Sequence, residues 1–259
     1  MTAPAILALV RHGESTWLAE GRFQGRGDTP LTDEGRRQAM AIGARLAAPS
    51  APPSLPVPDT PPVAIWHSPL RRATETAQAI HEAREADAPL RPLETLLEMS
   101  QGEWEGLTLE EVRGHYPRQL QGWLEDPVHH HAPGGESLPA AFERAQRTLR
   151  TILAQPDEGP NVVGRQRPDA TGSSSTTPAS AVLGYETIAG PGRPPAWGIV
   201  VAHDGILRCL ALGLLGIGLE HFWSFPFALA SISVLDSSAG VPRLRAHNLD
   251  EHVTALSRR

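Results

Sequence analysis

Ala5-Ile6-Leu7-Ala8-Leu9-Val10, followed at once by Arg11-His12-Gly13-Glu14-Ser15, is the stretch whose reading decides the fold. A short, unbroken apolar run with a polar boundary predicts a strand buried on both faces, the usual state in a parallel sheet. Gly198-Ile199-Val200-Val201-Ala202 repeats the pattern far along the chain and runs into His203. Ligands of open α/β sheets sit beyond the carboxyl ends of the strands. Two imidazoles just past two such ends are therefore expected to face one crevice, with a guanidinium beside the first. That pairing suits chemistry on an anion, and phosphate leads. A lone Arg-His-Gly is weak evidence, since a histidine after a strand is more often structural.

Working outward, Thr32 caps an expected helix running to about Ala48, with Asp33 and Glu34 in its first turn and Ala39, Ile42 and Leu46 on its buried side. Residues 49–62 hold seven prolines in fourteen positions, which excludes helix and inner strand and predicts a surface loop. Val63-Ala64-Ile65-Trp66 is expected as a second buried strand. Ser68 is then expected as a cap, with Pro69 as first residue of a helix to about Ala86. Helices are expected over 107–112, 117–124, 138–153 and 206–216, and strands over 231–235 and 244–247, the last at an edge. The expected fold is α/β, a three-layer sandwich: a mostly parallel central sheet with an antiparallel edge strand and helices on both faces.

Residues 156–195 contain 21 Pro, Gly, Ser or Thr in 40 positions, a composition that predicts a flexible insertion, with a folded lid as the lesser alternative. Strand and helix signals resume beyond it, so residues 1–259 are read as one domain carrying that insertion and the 49–62 loop. The net charge of −6 offers no global field for nucleic acid or acidic membrane. All 23 basic residues other than histidine are arginine, so every fixed cationic contact is a planar fork suited to phosphate oxygens. A single cysteine, Cys209, fits a reducing compartment and excludes an internal disulfide. No stretch reads as a signal peptide or a membrane span, and a cytoplasmic location is expected.

The strand-to-helix turns at 68–70 and 203–206 present helix N-termini, which favour anions. Arg72 seen alone reads as a solvated helix charge, but it stands in Ser68-Pro69-Leu70-Arg71-Arg72-Ala73. That motif joins Arg11-His12-Gly13-Glu14-Ser15, Gly21-Arg22-Phe23-Gln24-Gly25, and Asp28-Thr29-Pro30-Leu31-Thr32-Asp33-Glu34-Gly35. Glu98 precedes Gly102 and Trp104-Glu105-Gly106, and Pro133-Gly134-Gly135-Glu136-Ser137 and Val200-Val201-Ala202-His203-Asp204-Gly205 follow. With these motifs in this order the chain resembles the histidine phosphatase superfamily, the group that includes cofactor-dependent phosphoglycerate mutases.

The resemblance implies that His12 is the nucleophile and that Arg11, Arg72 and His203 surround the transferred phosphoryl. It implies that Glu98 is the general acid and base, which requires a raised carboxyl pKa. Gly13, Asp204, Arg22 and Gln24 are expected as further phosphate or substrate contacts, with a plain surface-loop role as the alternative for Arg22 and Gln24. No metal and no other cofactor is implied, and consecutive imidazoles at His129-His130-His131 point in different directions, which makes a poor metal site. Leu18 stands where the family often has asparagine.

The expected partner is a small phosphorylated substrate, with neither nucleic acid nor membrane involved, in a monomer or homodimer. The interval Leu107–Ala132 is short and carries only Arg113 and Arg118 as fixed cations, which resembles the phosphatases of the family. A metal-independent phosphomonoester hydrolase working through phosphohistidine is the favoured reading. Cofactor-dependent phosphoglycerate mutase is the alternative, and an inactive binding protein on the same fold is a further one.

Overall fold

A computed structural model describes residues 3–154 and 194–254, so the 156–195 insertion lies, but for its last two residues, outside the described ones. The elements are β1 (Ile6–Arg11), α1 (Thr16–Ala19), α2 (Asp33–Ala47), β2 (Ile65–His67), α3 (Arg71–Ala83), β3 (Leu90–Pro92), α4 (Leu109–His115), α5 (Pro117–Glu125), α6 (Leu138–Leu153), β4 (Trp197–Ala202), α7 (Asp204–Leu215), β5 (Ile232–Asp236), β6 (Arg243–Leu249) and α8 (Glu251–Thr254). The strands form one six-stranded sheet in the order β3-β2-β4-β1-β5-β6. The first four run parallel; β5 pairs antiparallel with β1 and β6 antiparallel with β5. Strands from both sides of the insertion thus share one sheet.

Side-chain alternation divides the core into two layers. Ile6, Ala8 and Val10 of β1 pack with Ile42 and Leu46 of α2 and with Ala73, Ala77 and Ile80 of α3. Leu7 and Leu9 point the other way, toward Ala141 and Ala145 of α6 and Ile206 and Leu210 of α7. The helix after β1 therefore covers one face and the helix after β4 the other. Because β1 and β4 are adjacent, the crevice between their carboxyl ends is the topological switch point where such sheets bind ligands. A smaller cluster of Trp104, Val112, Leu120 and Ala132, centred on α4 and α5, stands beside it.

Local chemistry explains most boundaries. Thr32 accepts the Gly35 N–H at 3.0 Å and starts α2, and Thr108 with Glu111 forms a capping box that starts α4. Helix α3 corrects the expectation at 68–70: its N-cap is Leu70, in extended conformation, and Pro69 lies outside the helix. Ser68 Oγ accepts the Leu70 N–H at 3.3 Å but also bonds His203, so Ser68 serves the site as well as the turn. The helix ends at Ala83, three residues early, because Glu85 and Ala86 adopt positive φ. The 49–62 loop has neither helix nor strand, yet Leu55 is buried in the α2–α3 layer and ties the loop down. Strand β3 was not foreseen.

Gly35, in the first turn of α2, lies against the backbone of Glu14, and a Cβ there would overlap the Glu14 carbonyl oxygen. Gly35→Ala is expected to destabilise by about 1–3 kcal/mol through this overlap. Gly114, inside α4 with open space around it, should gain up to about 1 kcal/mol on change to Ala. Urea unfolding midpoints of the two variants check both signs, and equal shifts would contradict the packing described.

Candidate active site

The β1–β4 register aligns Arg11 with Ala202, so the next residues, His12 and His203, fall side by side, and the His12 N–H bonds the Ala202 carbonyl at 3.1 Å. Their ring centroids are 5.0 Å apart at 61°. Strand β2 on the far side of β4 delivers Ser68, and the first turn of α3 delivers Arg72. Register of three parallel strands thus gathers residues that are far apart in the chain.

Both imidazoles are buried, and both have pKa values well below the ordinary 6.5, first because burial disfavours the cation and then because Arg72 and Arg11 repel it. His12 is therefore neutral, and its Nδ1–H donates to the Gly13 carbonyl at 2.6 Å. That bond fixes the tautomer and leaves the Nε2 lone pair as the free one. The Gly13 N–H donates to Thr76 Oγ1 at 3.2 Å, so Gly13 positions His12 and does not offer its amide to a ligand, a correction to the expected phosphate contact. His203 accepts from Arg72 Nε at 3.2 Å through Nδ1 and bonds Ser68 Oγ at 2.8 Å through Nε2.

Arg72 is fully buried, and its Nη1 and Nη2 donate to the carbonyls of Gly27 and Gly25 at 2.6 and 2.9 Å. Burial lowers its pKa to about 10, so it stays charged at neutral pH, held by neutral acceptors instead of a carboxylate. Arg11 Nη1 donates to the Phe227 carbonyl at 2.6 Å, while its Nε is buried with no hydrogen-bond partner among the described residues. Glu98 accepts from Met99 N at 2.8 Å and from the Gly205 and Ile206 N–H groups at 3.1 Å, the second and third of α7 but not the first, that of Asp204. Its pKa is nevertheless raised, because burial and the neighbouring Asp204 carboxylate outweigh the N–H bonds and Arg72.

Arg11, His12, Arg72 and Glu98 line a cavity of about 390 Å³, and His203 lies buried behind them. Arg22, Gln24 and Asp204 also line it. The Asp204 carboxylate grips Arg208 at 3.0 and 2.7 Å and accepts the Phe227 N–H. Gln24 accepts from Ser15 and Thr29. His129, His130 and His131 are exposed and outside the cavity, and among the described residues there is no cluster of three metal-ligating side chains. Leu18, Phe23, Met99, Leu109, Trp123, Phe222 and Trp223 supply the apolar part of the wall; Leu109 and Met99 carried no chemical signal in the sequence. Trp104, of the Trp104-Glu105-Gly106 motif, is buried in the small core cluster beside the cavity.

This fold and site define a histidine phosphatase-type enzyme. The chain belongs to the histidine phosphatase superfamily (branch 1), whose family model matches residues 7–164 and 191–250. It is 29% identical to phosphoserine phosphatase 1 of Hydrogenobacter thermophilus over 88% of this chain and 85% of that one. It is 33% identical to 2,3-bisphosphoglycerate-dependent phosphoglycerate mutase 2 of Gloeobacter violaceus over 61% and 68% of the two chains. Among solved structures, Bacillus stearothermophilus YhfR superposes with a TM-score of 0.71 at 26% identity, covering 96% of this chain and 98% of that one. Among the described residues no helix is long and apolar enough to cross a membrane.

Histidines with folded pKa values below 6.5 bind fewer protons than they do unfolded, so they cost stability as pH falls below 6.5 toward those lowered values. His12→Gln and His203→Gln should therefore lose less stability than the parent between about pH 7 and about pH 5. Urea midpoints across that range test this, and parallel pH slopes for parent and variants would contradict it.

Proposed function

We propose that the chain is a phosphoric monoester hydrolase for small phosphorylated metabolites, which passes the phosphoryl group through His12 to water without a metal ion. The observation that carries this reading is the Nδ1–H bond from His12 to Gly13, which leaves Nε2 unprotonated beside the charged Arg11 and Arg72. Nε2 attacks phosphorus as the ester P–O bond breaks, and Glu98 gives its proton to the departing alkoxide. Water then attacks the phosphohistidine, the P–N bond breaks, and Glu98 takes the proton from that water.

Arg11 and Arg72 supply the positive charge that the equatorial oxygens need, the role a metal plays elsewhere. The Asp204 N–H and the Nε2 donors of Gln24 are the further contacts we assign to phosphate. Burial first, and then repulsion from Arg72, keeps His203 neutral, and we assign it to holding the Arg72 guanidinium at the phosphoryl group through its Nδ1. The reducing setting of the cytoplasm suits the one buried thiol, Cys209.

The mutase-named relative keeps phosphoryl transfer between substrate positions as the alternative. Neither Arg113 nor Arg118 lines the cavity, and this favours water as the acceptor. With a chelator present, hydrolysis of an alkyl phosphate should persist, and His12→Ala should abolish it; activity restored only by added metal contradicts the reading, and binding without turnover marks an idle relative. Formation of 2-phosphoglycerate from the 3-isomer and its bisphosphate primer would mark a mutase.

Glu98→Gln should slow alkyl esters by about 10²–10⁴-fold but aryl esters with acidic leaving groups far less. Because the first step uses protonated Glu98, kcat/KM for alkyl esters should fall as pH rises through its raised pKa, and this limb should vanish in the variant. Equal losses on both ester classes would remove Glu98 from the acid role.

A further inference from the structure

The cavity beyond the phosphoryl end is chemically one-sided. Three guanidinium groups line it, those of Arg11, Arg72 and Arg22. The first two face the reacting phosphorus in the reading above. Arg22 is neutralised: its Nε bonds Glu20 at 2.8 Å, its Nη1 donates to the Gly106 carbonyl at 2.8 Å, and Glu111 stands 3.8 Å away. Among the described residues no further arginine lines the wall, and its titratable acids are Glu98 and Asp204. Among the described residues, a carboxylate on the leaving group would meet no unpaired cation there.

The wall is instead aromatic. Trp123 and Trp223 meet edge to face at 4.8 Å and 88°, and Trp223 meets Phe222 at 4.9 Å and 68°. Leu109 and Trp223 remain partly exposed at the mouth, at 45% and 37%. Arg208 stands behind this wall. Its guanidinium lies 5.2 Å from the Phe222 ring centroid and 5.1 Å from that of Trp223, and its Nη1 donates to the Phe222 carbonyl at 3.1 Å. The same guanidinium is gripped at two points by Asp204, at the start of the helix whose N–H groups hold Glu98. The leaving-group wall and the acid are thereby referenced to one rigid element.

We infer that the leaving group of the substrate is uncharged and apolar, and that Arg208 is the positioning residue that holds Phe222 and Trp223 in place to receive it. The inference rests on the hydrolase reading and adds the substrate class. Burial of an apolar leaving group against these rings supplies binding energy that a carboxylated one forfeits through desolvation without a partner.

Three esters of primary alcohols of similar reactivity test this: 3-phenylpropyl phosphate, butyl phosphate and 4-phosphooxybutanoate. The phenylpropyl ester should exceed butyl phosphate in kcat/KM by about tenfold or more, and the carboxylated ester should fall below butyl phosphate. Trp223→Ala should bring the phenylpropyl-to-butyl ratio close to unity. Arg208→Met should lower the same ratio mainly through KM, which a general loss of fold would not do selectively. A preference for the carboxylated ester, or a ratio untouched by Trp223→Ala, would overturn the inference. Calorimetric titration with the three matching phosphonates reads the same order without chemistry. Absence of turnover on all three esters therefore counts against the hydrolase reading, whereas preferential binding of the carboxylated phosphonate counts against this one.

Discussion

The in-register parallel pairing of β1 with β4 is the constraint on which the site depends. Arg11 opposite Ala202 places His12 opposite His203, and a slip of one residue would turn one imidazole into the opposite layer. Burial of Ile6, Ala8 and Val10 against α2 and α3, and of Leu7 and Leu9 against α6 and α7, fixes that register from both faces. The hydrophobic core and the catalytic geometry are thus one problem solved once.

Electrostatics then follow from how charge is held. Arg72 is surrounded by carbonyl oxygens and an imidazole nitrogen, which orient its guanidinium without cancelling it. Arg11 is anchored by one carbonyl and keeps a buried Nε without a partner among the described residues. Burial and these two cations keep both histidines neutral. A ring of positive charge beside an unprotonated nitrogen is pre-organised for a dianionic electrophile, and little reorganisation is needed when it arrives.

Much of this was legible in the residues because it rests on strong local signals. The apolar runs before His12 and His203, and the Thr32 cap with the apolar spacing of Ala39, Ile42 and Leu46, each mark their element in nearly its observed span. Strand β3 carried no signal: Leu90-Arg91-Pro92 is short, partly exposed and lies at an edge, where its pairing partner decides its conformation. Ser68 read as a helix cap because its bond to His203 spans 135 positions in the chain, beyond any local pattern. Gly13 read as a phosphate contact, but Thr76, one turn beyond Arg72, claims its amide. Asp204 read as a phosphate or substrate contact, whereas its carboxylate serves Arg208, one helical turn away. The leaving-group wall drew on Leu109 and Met99, whose role depends only on where α4 and the Glu98 loop come to lie.

The central claim is that the His12 nitrogen set free by its bond to Gly13 becomes covalently bound to phosphorus during turnover. Rapid quenching into base of the enzyme mixed with isotopically labelled phosphate ester, followed by peptide mapping, tests it most directly. The account predicts a base-stable, acid-labile phosphoryl group on the peptide that contains His12, formed at the rate of alcohol release and absent in His12→Ala. Alcohol release by the parent enzyme with no such adduct, or with label on another residue, would contradict it.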